Sequence, residues 1–227
     1  MVPPFPGFPP EVFEWFAALE RDNTRAYFAR TRERYEAEVR GGLEAMLAEL
    51  SAQFGGDVRM FRQHRDTRFT PDKSPYKTRT YGVLQNAPGS AAGLYAQLSA
   101  QGLYAGTGYH GLAPDQLERF RAAVAREDSG TRLEREVAAA RRAGLEVLGE
   151  ALRTAPRGHP RDHPRIALLR HKALIAGREL AGTSGIGGQQ ALDHVAGAWR
   201  AAAPLNAWLE EHVGPSTIPA GGRRGRR

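Results

Sequence analysis

The sequence predicts an α+β fold: an antiparallel sheet of about four or more strands, packed by N-terminal and C-terminal helices. Three observations predict it. Apolar residues recur at helical spacing as far as Phe54, the pattern turns strand-like after Gly55-Gly56, and helical spacing returns after Pro114. The strand-like part includes Leu94, Ala96 and Leu98, which alternate and so share one sheet face.

In order, Pro9 and Pro10 precede Glu11 and the apolar face Val12, Phe13, Phe16 and Leu19. Proline in a first turn followed by acids suits a helix start. Asp22 or Asn23 caps a second helix carrying Tyr27, Phe28, Tyr35, Val39, Leu43, Met46, Leu47, Leu50 and Phe54, which Gly41-Gly42 should weaken or bend. Strands are expected over roughly 57–69, 77–85, 92–100 and 102–110, with a tight turn at Gln101-Gly102. Pro114-Asp115 opens another helix, and Thr131-x-x-Glu134 is a capping-box pattern for the next. Leu145–Leu148 reads as a short strand, Ala155–Pro164 as a proline-broken loop, Ile166–Leu169 as a short helix and Ala173–Ala176 as a strand. Gly182–Gly188 reads as a flexible linker before helices at Gln189–Ala202 and Pro204–Val213.

At 227 residues the chain has room for one large domain or two small ones, and is read as a single α+β domain over 1–213. Residues 214–227 are expected to be a disordered Arg-rich tail. No apolar run is long enough to cross a bilayer. The opening MVPPFPGFPP lacks the basic start and apolar stretch of a signal peptide, so cytoplasmic is the default expectation and no membrane partner is expected. The absence of cysteine excludes disulfides, thiolate catalysis and zinc-ribbon sites.

Charge is concentrated between Arg59 and Arg79, in RMFRQHRDTRFTPDKSPYKTR. Seven basic residues there face only Asp66 and Asp72, a net +5, and the final RRGRR adds +4. The chain as a whole carries +7, so everything else sums to −2, unlike a uniformly cationic surface that tracks a nucleic-acid backbone. On a continuous strand Arg62 and Arg68 would share a face with Val58, Met60, His64 and Asp66, while Arg59 and Arg65 point the other way. Arginines beside Val58 and Met60 must pair with acids, bind a ligand or line an open cleft, because an unpaired buried charge is prohibitively costly.

The run from Asp66 to Lys77 (DTRFTPDKSPYK), the opening Phe5-Pro-Gly-Phe8, the block Asp22-Asn23-Thr-Arg25-Ala-Tyr27-Phe28, and Ala155-Pro156-Arg157-Gly158 with Asp162-His163-Pro164 carry a resemblance. Together they resemble a family of bacterial and fungal proteins, domain of unknown function 2461, over roughly residues 5 to 213. The resemblance implies a fold and a site, and no activity.

Other motifs have plainer explanations. Gly106-Thr-Gly108-Tyr-His-Gly111 matches a dinucleotide fingerprint in letters, but that fingerprint needs a strand–turn–helix unit in a parallel sheet, and this stretch reads as a hairpin strand. Small residues on a crowded strand explain it better, and no cofactor is expected. His159, His163 and His171 with Asp162 fall in a loop broken by Pro160 and Pro164, so no metal site is expected. Ser74 and Ser184 lack the context of a nucleophile.

The leading expectation is a cationic pocket for an anionic small molecule bearing phosphate or carboxylate. Arg62, Arg65, Arg68, Lys73 and Lys77 would supply the charge, arginine as a planar fork and lysine as a mobile point charge. Asp66 would orient an arginine, Tyr76 would donate a hydrogen bond, and the Arg157 and His163 loop would form the opposite wall. If chemistry follows binding, Asp66 is the candidate base, with His64 or Tyr76 as acid. A second expectation is a nucleic-acid-binding module using the same hairpin, the tail, and Tyr76, Tyr81, Tyr95 and Tyr104 as stacking surfaces. A third is an ion-paired structural element of a protein-interaction domain.

Overall fold

The computed structural model describes residues 4–88 and 93–218 of the chain. Its contacts gather into two compact units. Among the described residues, one comprises 4–88, 93–106 and 177–200, the other 107–176 and 201–218. Helices accompany a six-stranded antiparallel sheet and a two-stranded ribbon, an α+β fold as the sequence predicts.

The first unit starts with β1 (Gly7–Phe8) and α1 (Pro10–Arg21), whose first turn holds Pro10 and Glu11. Val12, Phe13, Trp15, Phe16 and Leu19 of α1 are all buried. Helix α2 (Arg25–Arg34) is capped by Thr24, whose hydroxyl accepts from Tyr27 N at 3.1 Å. The cap therefore lies one or two residues beyond the predicted Asp22 or Asn23. Asp22 instead closes α1 and accepts from the Thr24 hydroxyl at 2.8 Å, and Asn23 has another task described below. A π-helical turn, Tyr35–Arg40, leads directly into α3 (Gly41–Phe54). The disturbance expected at Gly41-Gly42 is this turn: Gly41 N–H reaches back five residues to Glu36 O. A Cβ at Gly41 would stand 2.9 Å from that oxygen, so glycine lets the wide turn close.

β2 (Asp57–Met60), β3 (Arg79–Gln85), β4 (Leu94–Ser99) and β5 (Gly102–Tyr109) follow as successive strands. β3 alternates cleanly, with Thr80, Gly82 and Leu84 buried, because α3 packs on that face. The predicted strand over 57–69 stops at Met60. Phe61 N–H still donates to Tyr81 O at 3.1 Å, but His64 then bridges Tyr76, so two residues on one side face four on the other. That slip ends the alternation on which the two-faced placement of the arginines depended.

The remaining elements are α4 (Pro114–Ala125), α5 (Glu127–Arg142), β6 (Glu146–Leu148), α6 (Ile166–Leu169), β7 (Leu174–Ala181), β8 (Ile186–Gly187) and α7 (Gly188–His212). The sheet order is β2-β3-β4-β5-β7-β6, and β8 pairs with β1, Phe8 opposite Ile186. This pairing replaces the predicted linker over 182–188: Gly185 and Gly188 lie close to the backbone around Phe8 and Phe5, and Phe8 and Ile186 are buried. The two predicted C-terminal helices are one, continuous through Pro204. Proline removes one intrahelical bond, but buried Trp199, Leu205, Trp208 and Leu209 keep the axis unbroken.

In the second unit, Arg126 alone separates α4 from α5, and Thr131 lies inside α5 rather than capping it. Arg165, 5% exposed, holds this corner by donating to Val124 O at 2.9 Å, Arg126 O at 3.3 Å and Glu127 Oε2 at 2.6 Å. Gly130 makes the room, since a Cβ there would meet the Arg165 side chain. Of the expected tail, Ser216 and Thr217 hydrogen-bond Asp115, and 219–227 lie outside the described residues.

Gly106-x-Gly108 sits in β5, a strand of the antiparallel sheet, and the next helix starts only at Pro114. Gly108 has φ +119°, and a Cβ there would collide with Leu174 O. Gly108→Ala is accordingly expected to cost about 2 kcal/mol or more, read as a lower urea midpoint with an unchanged slope.

Candidate functional site

The charged hairpin 61–77 and the face of α2 enclose an open cleft of about 1120 Å³ within the first unit. Gln63 shapes the hairpin side. It is 5% exposed, donates from its amide to Lys77 O, and accepts from Thr80 Oγ1 at 2.8 Å and the Tyr35 hydroxyl at 3.3 Å. One side chain thus satisfies the polar groups that the slipped register leaves over. Asn23 fixes the other junction. Its amide donates to Tyr76 O at 3.0 Å and accepts from Tyr76 N at 3.1 Å, pairing with the backbone as a neighbouring strand would. Below it, the Tyr76 and Phe28 rings stack at 4.1 Å, and both are almost fully buried.

The cleft brings together several predicted residues and leaves others out. Arg62, His64, Arg65, Lys73 and Tyr76 line it. Arg62 is exposed and has no carboxylate at ion-pair distance among the described residues, the Asp66 carboxyl feeling its charge from further off. Arg65 pairs with Asp72, and Lys73 donates to Thr67 O at 2.9 Å. His64 stands with its ring 4.9 Å from Tyr76 and 6.1 Å from Phe28. Arg68 and Asp66 lie at the hairpin tip, outside the cleft lining, in a two-bonded fork of 2.9 and 2.7 Å. Those bonds hold the Asp66 carboxyl well below the usual carboxylate range, which makes it a weak base. Beside them Phe69 is 90% exposed, with the Arg68 guanidinium 5.6 Å from its ring centre.

Lys77 lines a smaller neighbouring hollow rather than the cleft. Its ammonium donates to Arg62 O at 2.6 Å and Tyr81 Oη at 3.0 Å and lies over the Tyr81 ring. Arg157 and His163 belong to the second unit and are not among the cleft-lining residues. There His163 Nδ1 accepts from Arg165 N at 3.0 Å, ordering the turn into α6. Among the described residues no cluster of three or more His, Asp or Glu forms a metal-binding group. No helix among them is long and apolar enough to cross a membrane.

The sequence reading missed the α2 side of the cleft: Arg25, Arg32, Glu36 and Arg40. With them the lining holds six cationic side chains and one carboxylate, Glu36, which is 4.0 Å from Arg40. The available signal was Arg25 and Arg32 at i and i+7, one face of a helix.

Two outcomes test this construction. Asn23→Ala removes both bonds to the Tyr76 backbone and is expected to cost about 1–3 kcal/mol, with faster hydrogen exchange at the Tyr76 amide. Asp72 is held below its ordinary value of 3.8 by the Ser74 hydroxyl, Arg65 and the Ser74 amide. A depressed carboxyl contributes fully above its unfolded value and loses that contribution as pH falls through the folded one. The Ser74 amide resonance is therefore expected to stay fixed from neutrality to about pH 4 and to move only in stronger acid.

No curated protein matches the chain. A family model described as conserved hypothetical protein (DUF2461) matches residues 11–208, nearly the whole span of the resemblance carried by the motifs above, and the chain belongs to that family.

Proposed function

We propose that the cleft between α2 and the 61–77 hairpin binds an anionic small molecule bearing phosphate or carboxylate groups. One observation carries this reading: Arg25, Arg32, Arg40, Arg62, Arg65 and Lys73 share the cleft with a single carboxylate. Structural ion pairing would match every cation with an acid, as the hairpin tip does for Arg68 with Asp66. In the cleft Arg40 pairs with Glu44 at 3.4 Å and Arg65 with Asp72, while Arg25, Arg32, Arg62 and Lys73 form no ion pair among the described residues. Arg62 and Lys73 approach an anion from the hairpin side. Arg65 can join by leaving Asp72, which keeps its two bonds from Ser74. His64 offers a further hydrogen bond at the wall. In this reading Arg68, Lys77, Arg157 and His163 are not ligand contacts, and Tyr76 contributes the floor.

A second reading is a nucleic-acid interface, favoured by a row of half-buried rings. Phe61, Tyr81, Tyr95 and Tyr104 follow one another at 4.8, 5.5 and 6.1 Å, with Arg59 over Phe61 and Lys77 over Tyr81. Tyr76 drops out of the stacking set because it is buried against Phe28. Binding of a single-stranded oligonucleotide that weakens steeply with salt is its signature.

Thermal denaturation with increasing inorganic phosphate or citrate separates the readings. The small-anion reading expects a concentration-dependent rise in Tm, weakened about tenfold or more in apparent affinity by Arg62→Ala and unchanged by Arg68→Ala. Equal effects of the two substitutions would remove the assignment to the cleft.

A further inference from the structure

The cleft has a wall that the hairpin does not supply, and its chemistry narrows the ligand. Arg25 and Arg32 stand seven residues apart on α2, two turns or about 10 Å along the axis. Phe28, Ala29, Tyr35 and Glu36 line the cleft from the same side of the helix. Neither arginine has a carboxylate at ion-pair distance among the described residues, and neither has Arg62 across the cleft, whose charge reaches Asp66 only from further off. The other arginines of α2 behave differently. Arg30 pairs with Asp22 at 3.2 Å and Arg34 with Glu38 at 3.0 Å. The helix thus neutralises arginines that point away from the cleft and leaves bare those that point into it.

We propose that the ligand carries at least two phosphate groups, a polyphosphate chain or a diphosphate ester, lying along α2 between Arg25 and Arg32 with Arg62 closing on it from the hairpin. The inference rests on the anion-binding reading of the cleft. Each guanidinium is a planar fork that takes two oxygens, and phosphate offers three. One carboxylate or one phosphate can occupy one fork. Three bare forks distributed over two helical turns match negative charge distributed over a similar length. The aromatic floor argues in the same direction. Phe28 and Tyr76 are 7% and 6% exposed and stacked on one another, so neither offers an open face to a base or other ring. Phe61, a half-buried ring of the lining, is already stacked on Tyr81 at 4.8 Å with the Arg59 guanidinium 5.0 Å from its centre, so recognition falls on the anionic chain.

Calorimetric titration of the full chain at fixed ionic strength tests this with inorganic phosphate, pyrophosphate, tripolyphosphate, citrate and an oligothymidylate. Tripolyphosphate is expected to bind about tenfold or more tighter than inorganic phosphate or citrate. The double substitution Arg25→Gln with Arg32→Gln should remove that advantage. Arg30→Gln with Arg34→Gln takes the same charge from the same helix and should leave it. If the first double variant does not fold, Arg32→Gln alone serves. Equal loss in both double variants means a diffuse field rather than a site and overturns the inference, as does equal affinity for phosphate and tripolyphosphate. Tighter binding of oligothymidylate than of tripolyphosphate assigns the arginines to a nucleic-acid strand and also overturns it. If Arg62→Ala abolishes phosphate binding while the Arg25 and Arg32 variant is neutral, the cleft stands as an anion site and only the α2 assignment falls. If none of these anions binds, both readings fall.

Discussion

The pairing of the Asn23 amide with both backbone groups of Tyr76 is the constraint on which the candidate site depends. It ties the start of α2 to the returning arm of the hairpin, two segments 53 residues apart in sequence. Without it the hairpin arm has the Phe28–Tyr76 stack to hold it to the helix, and a stacked pair fixes distance more firmly than register. The amide supplies one donor and one acceptor to one residue, so it sets direction as well as position. Gln63 performs the matching service inside the hairpin, where the slipped register leaves Lys77 O and Thr80 Oγ1 facing inward. Two carboxamides, neither charged, thereby position the charged side chains.

Once the frame is fixed, the difference among the arginines becomes interpretable. Arg68 and Asp66 sit two residues apart, and their fork forms within one turn of chain at the hairpin tip. Arg65 is paired more conditionally, because Asp72 is also held by the Ser74 amide and hydroxyl and keeps those bonds if the arginine leaves. Arg25, Arg32 and Arg62 complete the series with no carboxylate at ion-pair distance among the described residues, although Asp66 still feels the charge of Arg62. Exposed ion pairs contribute little to stability. The pattern of pairing is therefore informative about where charge remains available, and much less about how the fold is held.

The α+β class, the strands over 79–85, 94–99 and 102–109, and the hairpin as a charged feature were legible in the sequence because local periodicity and local charge density carry them. What was not legible depended on contacts distant in sequence. Asp22, Asn23 and Thr24 are all competent helix caps, and the choice among them is made by Tyr76, which claims Asn23. The strand over 57–69 stopped early because Gln63 can satisfy a slipped register, and nothing in the alternation signals that. Arg25 and Arg32 were visible as one helix face, yet they lie outside the dense basic segment. Counting charge along the chain hides a cluster assembled across it.

Arg165 shows why arginine count alone never identifies a site. It is more buried than any cleft arginine, and every direction its guanidinium points ends on an acceptor: Val124 O, Arg126 O, Thr131 Oγ1 and Glu127. Such a residue closes a corner between two helices and has no capacity left for a ligand, since a fully satisfied buried cation gains nothing from a further anion that must itself be desolvated. The motif 155–164, which suggested a ligand loop, includes the His163 that accepts from the Arg165 amide and so belongs to this structural arrangement. Arg25, Arg32 and Arg62 of the cleft invert these properties, being exposed and outside ion-pair distance of any carboxylate among the described residues. What distinguishes a binding cation from a structural one here is the unspent donor, and that is set by neighbouring acceptors rather than by the residue type.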